Sequence, residues 1–271
     1  MKYIKSALSY LFKNFLYVFL LALVPAGFIG GLLNPFKTFS FMTDYSKINV
    51  KSFGDVFNSL IDFNWLPILL SVLALLVLAI SVSLIIGQME NHLRCGKLYF
   101  KNMFQYVNNN IVVVVSNFLL LILIWFVLQF FLSVFVFLNH LIFSGLNNLP
   151  NVATIVIAVI LCAVKFVLFI QVALILLLSM PNMLISGYPI KQSISNSIKL
   201  INKNNLKLML AMVLPFIIII PLACLLKGGW SYLTNILGIL ILIIYTCPLI
   251  MTSYFELSGT PRYDNRKYYN Y

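Results

Sequence analysis

The sequence predicts an all-α integral membrane protein of six transmembrane helices, a single domain with both termini in the cytoplasm. Three observations carry that prediction. The 271-residue chain is 62% hydrophobic and 9% charged, with mean hydropathy +1.02, far from the balance of a soluble domain. Its apolar residues fall into six runs, each long enough to cross a hydrocarbon layer roughly 30 Å thick. Finally, Lys and Arg alternate between the links. The N-terminus, residues 89–110, residues 180–207 and the tail after 256 carry thirteen of them, whereas the other three links carry only Lys37, Lys47, Lys51 and Lys227. The basic set is expected on the cytoplasmic side, which makes the chain a multi-pass protein of the cell membrane.

Residues 2–13 place Lys2, Lys5, Ser6, Ser9 and Lys13 opposite Ile4, Ala7, Leu8, Leu11 and Phe12, the pattern of a helix lying in the headgroup region. The first span follows, Phe15 to Leu33. It is long for the apolar core of a signal peptide and no A-x-A site follows it, so an uncleaved span is expected. In the polar segment 34–65, Ser52 and Asp55 form a capping box. It opens a short amphipathic helix whose face is Phe53, Val56, Phe57, Leu60 and Ile61. The charges of this segment balance, Lys37, Lys47 and Lys51 against Asp44, Asp55 and Asp62, and Trp65 is placed to anchor the second span at the interface.

The second span runs from Leu66 to Gln88, the third from Ile111 to Leu138 and the fourth from Val152 to Ser179. The fifth covers Leu206 to Leu226 and the sixth Tyr232 to Phe255. Gly96, Gly187 and Gly259 stand where the even spans end, and glycine there suits a helix C-terminus turning into the next segment. The tail from Arg262 to Tyr269 mixes basic and aromatic residues, which suits anchoring at an anionic inner leaflet.

An amphipathic run, an Asn and a long apolar run occur three times at steps of 95 residues, with Asn14, Asn109 and Asn204 in register. This predicts three pseudo-repeats, about 1–95, 96–190 and 191–271, each an interfacial amphipathic helix followed by a helical hairpin. Every unit contains two spans, so the repeats are parallel, unlike the inverted repeats of many transporters. Each Asn is expected to cap the helix that enters the membrane.

Lys165 is the anomaly, a lysine in the middle of the fourth span. Burial there costs about 2.5–3.5 kcal/mol on insertion scales, and an intramembrane charge points by default to function. Two structural readings stand beside the functional one: the stem snorkels to an interface, or the amine pairs with a neighbouring helix. No Asp or Glu lies mid-span, and Glu90 and Glu256 are shallow. Gln129 and Gln171 are the polar neighbours within reach. An unpaired ammonium carries a desolvation penalty that an anionic amphiphile offsets, so Lys165, Gln129 and Gln171 form the candidate ligand site. The candidate membrane-surface residues are Lys2, Lys5, Lys13, Arg94, Lys97, Lys101, Lys191, Lys199, Lys203 and Lys207.

Other chemistry is thinly represented. His92, Cys95 and Glu90 fall short of the four ligands of a structural zinc, and no metal or other cofactor is expected. Cys95, Cys162, Cys224 and Cys247 include no Cys-x-x-Cys pair and read as packing residues. There is no H-E-x-x-H, no G-x-S-x-G and no Walker A loop. The six carboxylates include no close intramembrane pair, so an enzyme is not expected. The net charge of +12 sits in short loops, which makes it topological and excludes nucleic acid as the partner.

The segment Asn182-Met183-Leu184-Ile185-Ser186-Gly187-Tyr188-Pro189, with Ser193, Ser195, Ser197 and Lys199-Leu200 before a span containing Pro215, resembles bacterial polytopic membrane proteins. They are similar to the membrane domain fused to some glycerophosphodiester phosphodiesterases. About 30 residues carry the likeness, and the hydrolase part of that family is absent, so no active-site residue carries over. The resemblance implies a lipid-facing module in a bacterial inner membrane. The function expected is therefore non-enzymatic: binding, transporting or sensing a lipid or other amphiphile. One rival is an interaction, immunity or assembly factor that binds another membrane protein or itself. A second rival is a permease subunit of an ATP-driven exporter, using the 89–110 or 180–207 link as a coupling helix.

Overall fold

The computed structural model describes residues 2–33, 35–36, 52–60, 65–98, 100–144, 151–225 and 230–264, the side chains of 65–68, 102, 144, 151 and 152 excepted. The expectations for Lys37, Lys47, Lys51, Asp44, Ile61, Asp62, Lys227, the Trp65 ring and the tail beyond Asp264 fall outside these residues. Every regular element described is helical: α1 (Lys2–Lys13), α2 (Phe15–Leu32), α3 (Phe53–Leu60), α4 (Trp65–Cys95), α5 (Met103–Ser144), α6 (Asn151–Ser186), α7 (Ile190–Asn202), α8 (Asn205–Val213), α9 (Phe216–Leu225) and α10 (Ser231–Ser258). Six segments are long and apolar enough to cross a membrane: α2, α4, α5, α6, the α8–α9 pair and α10.

The last helix is the axis of the bundle. In α10, 67% of the apolar window is buried, against 17–39% in the other spans, and α10 packs on α1, α2, α4, α6, α8 and α9. Small residues make the close approach feasible. A Cβ on Gly30 of α2 would collide with the backbone of Ile236, and one on Gly238 would enter the Phe36 ring. The chain neighbours α2, α4, α5 and α6 pack pairwise around this axis.

Local signals in the sequence explain several ends. The capping box forms reciprocally: Ser52 N donates to Asp55 Oδ2 at 2.8 Å, and Asp55 N donates to Ser52 Oγ at 3.3 Å. The helix it opens, α3, buries Val56 and Leu60 against Leu132 and Val136 of α5 and Ala158 of α6. Gly96, Gly187 and Gly259 all adopt left-handed φ, 68°, 68° and 71°, as helix ends turning sharply require.

The Asn caps are a correction. Asn14 and Asn204 precede α2 and α8 but make no side-chain capping bond, and Asn14 Nδ2 instead donates back to the Tyr10 carbonyl at 3.1 Å. Asn109 caps nothing, because it lies inside α5, which runs unbroken from Met103. The reason is contact with α4. Asn110 is buried and donates to the Ser83 carbonyl at 3.3 Å, and Asn91 donates to the Tyr106 hydroxyl. Gly87 leaves the space: a Cβ there would lie 2.7 Å from Tyr106 Cβ and 3.0 Å from Asn110 Nδ2. These contacts hold the start of α5 upright, in line with its span. At 42 residues, α5 is on the order of 60 Å long and overshoots the hydrocarbon layer.

One end of the bundle gathers α1, the end of α4, the end of α6, α7, the start of α8 and the end of α10. Arg262, just past α10, pairs with Asp264 at 2.9 Å and with Glu256 at 3.5 Å, and donates to Ser6 of α1. Lys2 reaches Glu256 at 3.4 Å, and Tyr263 N donates to the Leu93 carbonyl at 2.8 Å. Arg262 was expected at a lipid surface. Its guanidinium instead serves as an internal clasp, because two carboxylates and a hydroxyl converge on it.

Candidate functional site

A cavity of about 450 Å³ lies in the half of the bundle remote from that end. The end of α2 (Ile29, Leu33), the first half of α4 (Ser71 to Leu78) and the first half of α10 (Ile239, Leu242) wall one side. Leu121 and Trp125 of α5 and Cys162, Lys165 and Phe169 of α6 wall the other. Lining residues are overwhelmingly aliphatic or aromatic, and Lys165 is the charged one among them. Ligand sites typically enclose about 300–1,000 Å³ with a few convergent polar groups, and this cavity fits that description.

Helical register positions the lysine. Its stem is 8% exposed, and the ammonium lies 5.5 Å from the Trp125 ring centroid, within cation–π range. It donates a hydrogen bond to Gln129 Oε1. Trp125 and Gln129 are four residues apart and so share one face of α5. Two further polar pairs stitch the same two helices: Ser179 Oγ donates to Asn117 Oδ1 at 2.7 Å, and Asn139 Nδ2 donates to the Thr154 carbonyl at 3.1 Å. The Gln129 amide nitrogen is buried with no hydrogen-bond partner among the described residues.

Of the three ligand candidates, the structure therefore joins Lys165 with Gln129 and adds Trp125, which sequence reasoning missed. The i, i+4 spacing of Trp125 and Gln129 opposite a buried lysine was the available signal. Gln171 does not line the cavity. It sits six residues along α6 on another face, its side-chain oxygen buried without a partner among the described residues.

The ten surface candidates, Lys2, Lys5, Lys13, Arg94, Lys97, Lys101, Lys191, Lys199, Lys203 and Lys207, are all exposed and all at the end that the Arg262 clasp closes. Beside them α7 turns Ser193 and Ser197 inward and leaves Ser195 exposed. Ser193 and Ser197 are buried, and Asn182 of α6 donates to Ser197 Oγ at 2.8 Å. Ile190 and Ile198 are left exposed between Lys191 and Lys199, the arrangement of a helix whose outer face meets an interface.

His92, Glu90 and Cys95 do not converge. His92 Nδ1 bonds the Tyr10 hydroxyl at 3.0 Å and Glu90 pairs with Arg94 at 2.9 Å, while Cys95 is exposed. Among the described residues no group of three His, Cys, Asp or Glu side chains could hold a metal ion. Burial pushes the Tyr10 phenol well above its ordinary ionisation range, with the neighbouring Tyr17 adding to the shift. It thus stays a neutral bridge between Tyr17 Oη, 2.8 Å away, and His92.

Comparison with known proteins finds no counterpart: no family model, no curated protein and no solved structure matches the chain.

Proposed function

We propose that this chain is a non-enzymatic protein of a bacterial inner membrane that binds, moves or senses an amphiphile in the Lys165 cavity. The observation that carries the reading is a buried ammonium on the wall of an otherwise apolar, ligand-sized space. An ammonium there is costly, and a ligand with an anionic head and an apolar body complements both features at once.

The topology that goes with this reading has both termini in the cytoplasm. It is supported by the ten exposed basic residues at one end of the bundle, since such residues remain on the cytoplasmic side. Exposed lysines and the isoleucine ridge of α7 suit contact with an anionic inner leaflet. The pseudo-repeat draws support from the backbone in its first and third units, while the middle one runs through Asn109 without a break. Asn14 and Asn204, two repeat lengths apart, break the chain with nearly equal angles: φ −124°, ψ 21° and φ −131°, ψ 19°.

Native mass spectrometry of the protein extracted from its own membrane tests the function. The expected result is a bound amphiphile on the wild type that Lys165→Gln loses. A bare wild type that instead carries a stoichiometric protein partner favours the interaction or permease-subunit readings.

A further inference from the structure

We propose that the cavity takes a single-chain, monoanionic amphiphile, a long-chain carboxylic acid, whose head meets Lys165 and Trp125 while its chain fills the space towards α4 and α10. This rests on the amphiphile reading of the same cavity and narrows it.

Charge sets the first limit. Among the described lining residues Lys165 is the lone charged group, which matches one negative charge and not two. An ammonium has three donors; Gln129 Oε1 takes one, which leaves two for a carboxylate. A glycerophosphate head asks for several cations and hydration. Among the described residues the clustered cations stand at the opposite end of the bundle, away from this space.

Depth and size set the second. Lys165 is near the middle of the 36-residue α6, so the head sits far from either interface, where the smallest anionic group loses the least hydration. If a chain methylene takes the ~30 Å³ liquid-volume share of a water, the cavity of about 450 Å³ holds about fifteen of them, one chain of palmitate length. Two chains and a headgroup exceed it. Trp125 then packs beside the head, where a carboxylate on Lys165 and the ring share the ammonium.

Trp125 also supplies the probe. Brominated chains quench indole fluorescence only at contact, so the purified protein is titrated with palmitate dibrominated near its carboxyl end (carbons 4 and 5), its methyl ester and a phosphatidylglycerol whose chain carries bromines at the same carbons. Trp125→Phe serves as the blank for the other tryptophans. The expected result is saturable quenching by the acid, absent in Trp125→Phe. The ester is expected to bind about tenfold or more weakly, the loss of one charge-assisted contact, with Lys165→Gln holding the acid as weakly as wild type holds the ester. The acid-against-ester comparison needs only the wild type, so it stands even if a variant misfolds. Quenching by phosphatidylglycerol as strong as by the acid, or equal affinity for acid and ester, overturns the single-chain acid while leaving an amphiphile site. Failure of all three probes to quench Trp125 removes the amphiphile site itself.

Discussion

Lys165 on α6 and Gln129 on α5 are joined by a hydrogen bond inside the apolar part of the bundle, the ammonium donating to the amide oxygen. Among the described residues no carboxylate lines the adjoining cavity, and this pair combines a full charge with a neutral acceptor. The lysine is thereby fixed in direction yet retains its charge for something else.

That pairing has a thermodynamic signature. Gln129→Leu strands a buried ammonium and is expected to cost about 1.5–3 kcal/mol, whereas Gln129→Leu with Lys165→Met, which removes both groups, comes out near neutral. Unfolding of the four proteins of this double-mutant cycle in detergent gives the coupling directly. Additive losses would mean that the two side chains act independently.

The contact of α2 with α10 depends on Gly30, where a Cβ meets the backbone of Ile236. Gly30→Leu is expected to destabilise by about 1–3 kcal/mol or more through overpacking. At Gly27, one turn away with open space around it, Ala is expected to stabilise by roughly 0.5–1 kcal/mol as a helix-interior residue. Thermal unfolding in one detergent compares the two. Equal tolerance of both changes contradicts the packing described.

Arg262 binds the carboxylates that close the basic end. Its side chain is 14% exposed, and those of Asp264 and Glu256 are 4% and 13% exposed. Arg262→Ala takes the 2.9 Å partner from Asp264 and leaves Glu256 to Lys2, and is expected to cost about 1.5–3 kcal/mol. Removing the exposed cation Lys5 should change stability by less than about 0.5 kcal/mol. Hydrogen exchange localises the effect, with protection falling in α1 first.

Tyr10 offers a test by pH. Its phenol is pushed up by burial and then by Tyr17, so the folded state holds the proton more tightly than the unfolded one. Its contribution to stability is complete below about pH 10 and is lost as pH rises from there through the folded value. An alkaline absorbance titration of wild type minus Tyr10→Phe isolates this phenol. A difference signal already complete where exposed tyrosines ionise would contradict the buried bridge to Tyr17 and His92.

The sequence displays the spans because apolar length is a one-dimensional property, and it displays the start of α3 because Ser52 and Asp55 are three residues apart. Gly96, Gly187 and Gly259 were legible for the same reason. Contacts between distant residues were not. The unbroken start of α5 depends on Gly87, Asn91 and Ser83 of another helix, which no local pattern around Asn109 reveals. Pro215 behaves likewise: it separates α8 from α9, while Pro25 lies within an intact α2. Ser197 of α7 is turned inward to meet Asn182 of α6, a contact that no local pattern in 190–202 reveals. At the site, Lys165 announced itself as a lone charge in an apolar run. Trp125 did not, since one more aromatic ring in a span carries no signal until its helical neighbour is known.

The account rests on six crossings that leave the lysine-rich end in the cytoplasm. Lys199→Cys, in a background with Cys95, Cys162, Cys224 and Cys247 replaced by Ala, places one thiol on the exposed face of α7. A membrane-impermeant maleimide is expected to miss this thiol in intact cells and to label it once the membrane is opened. Full labelling from outside intact cells would invert the topology and contradict the account.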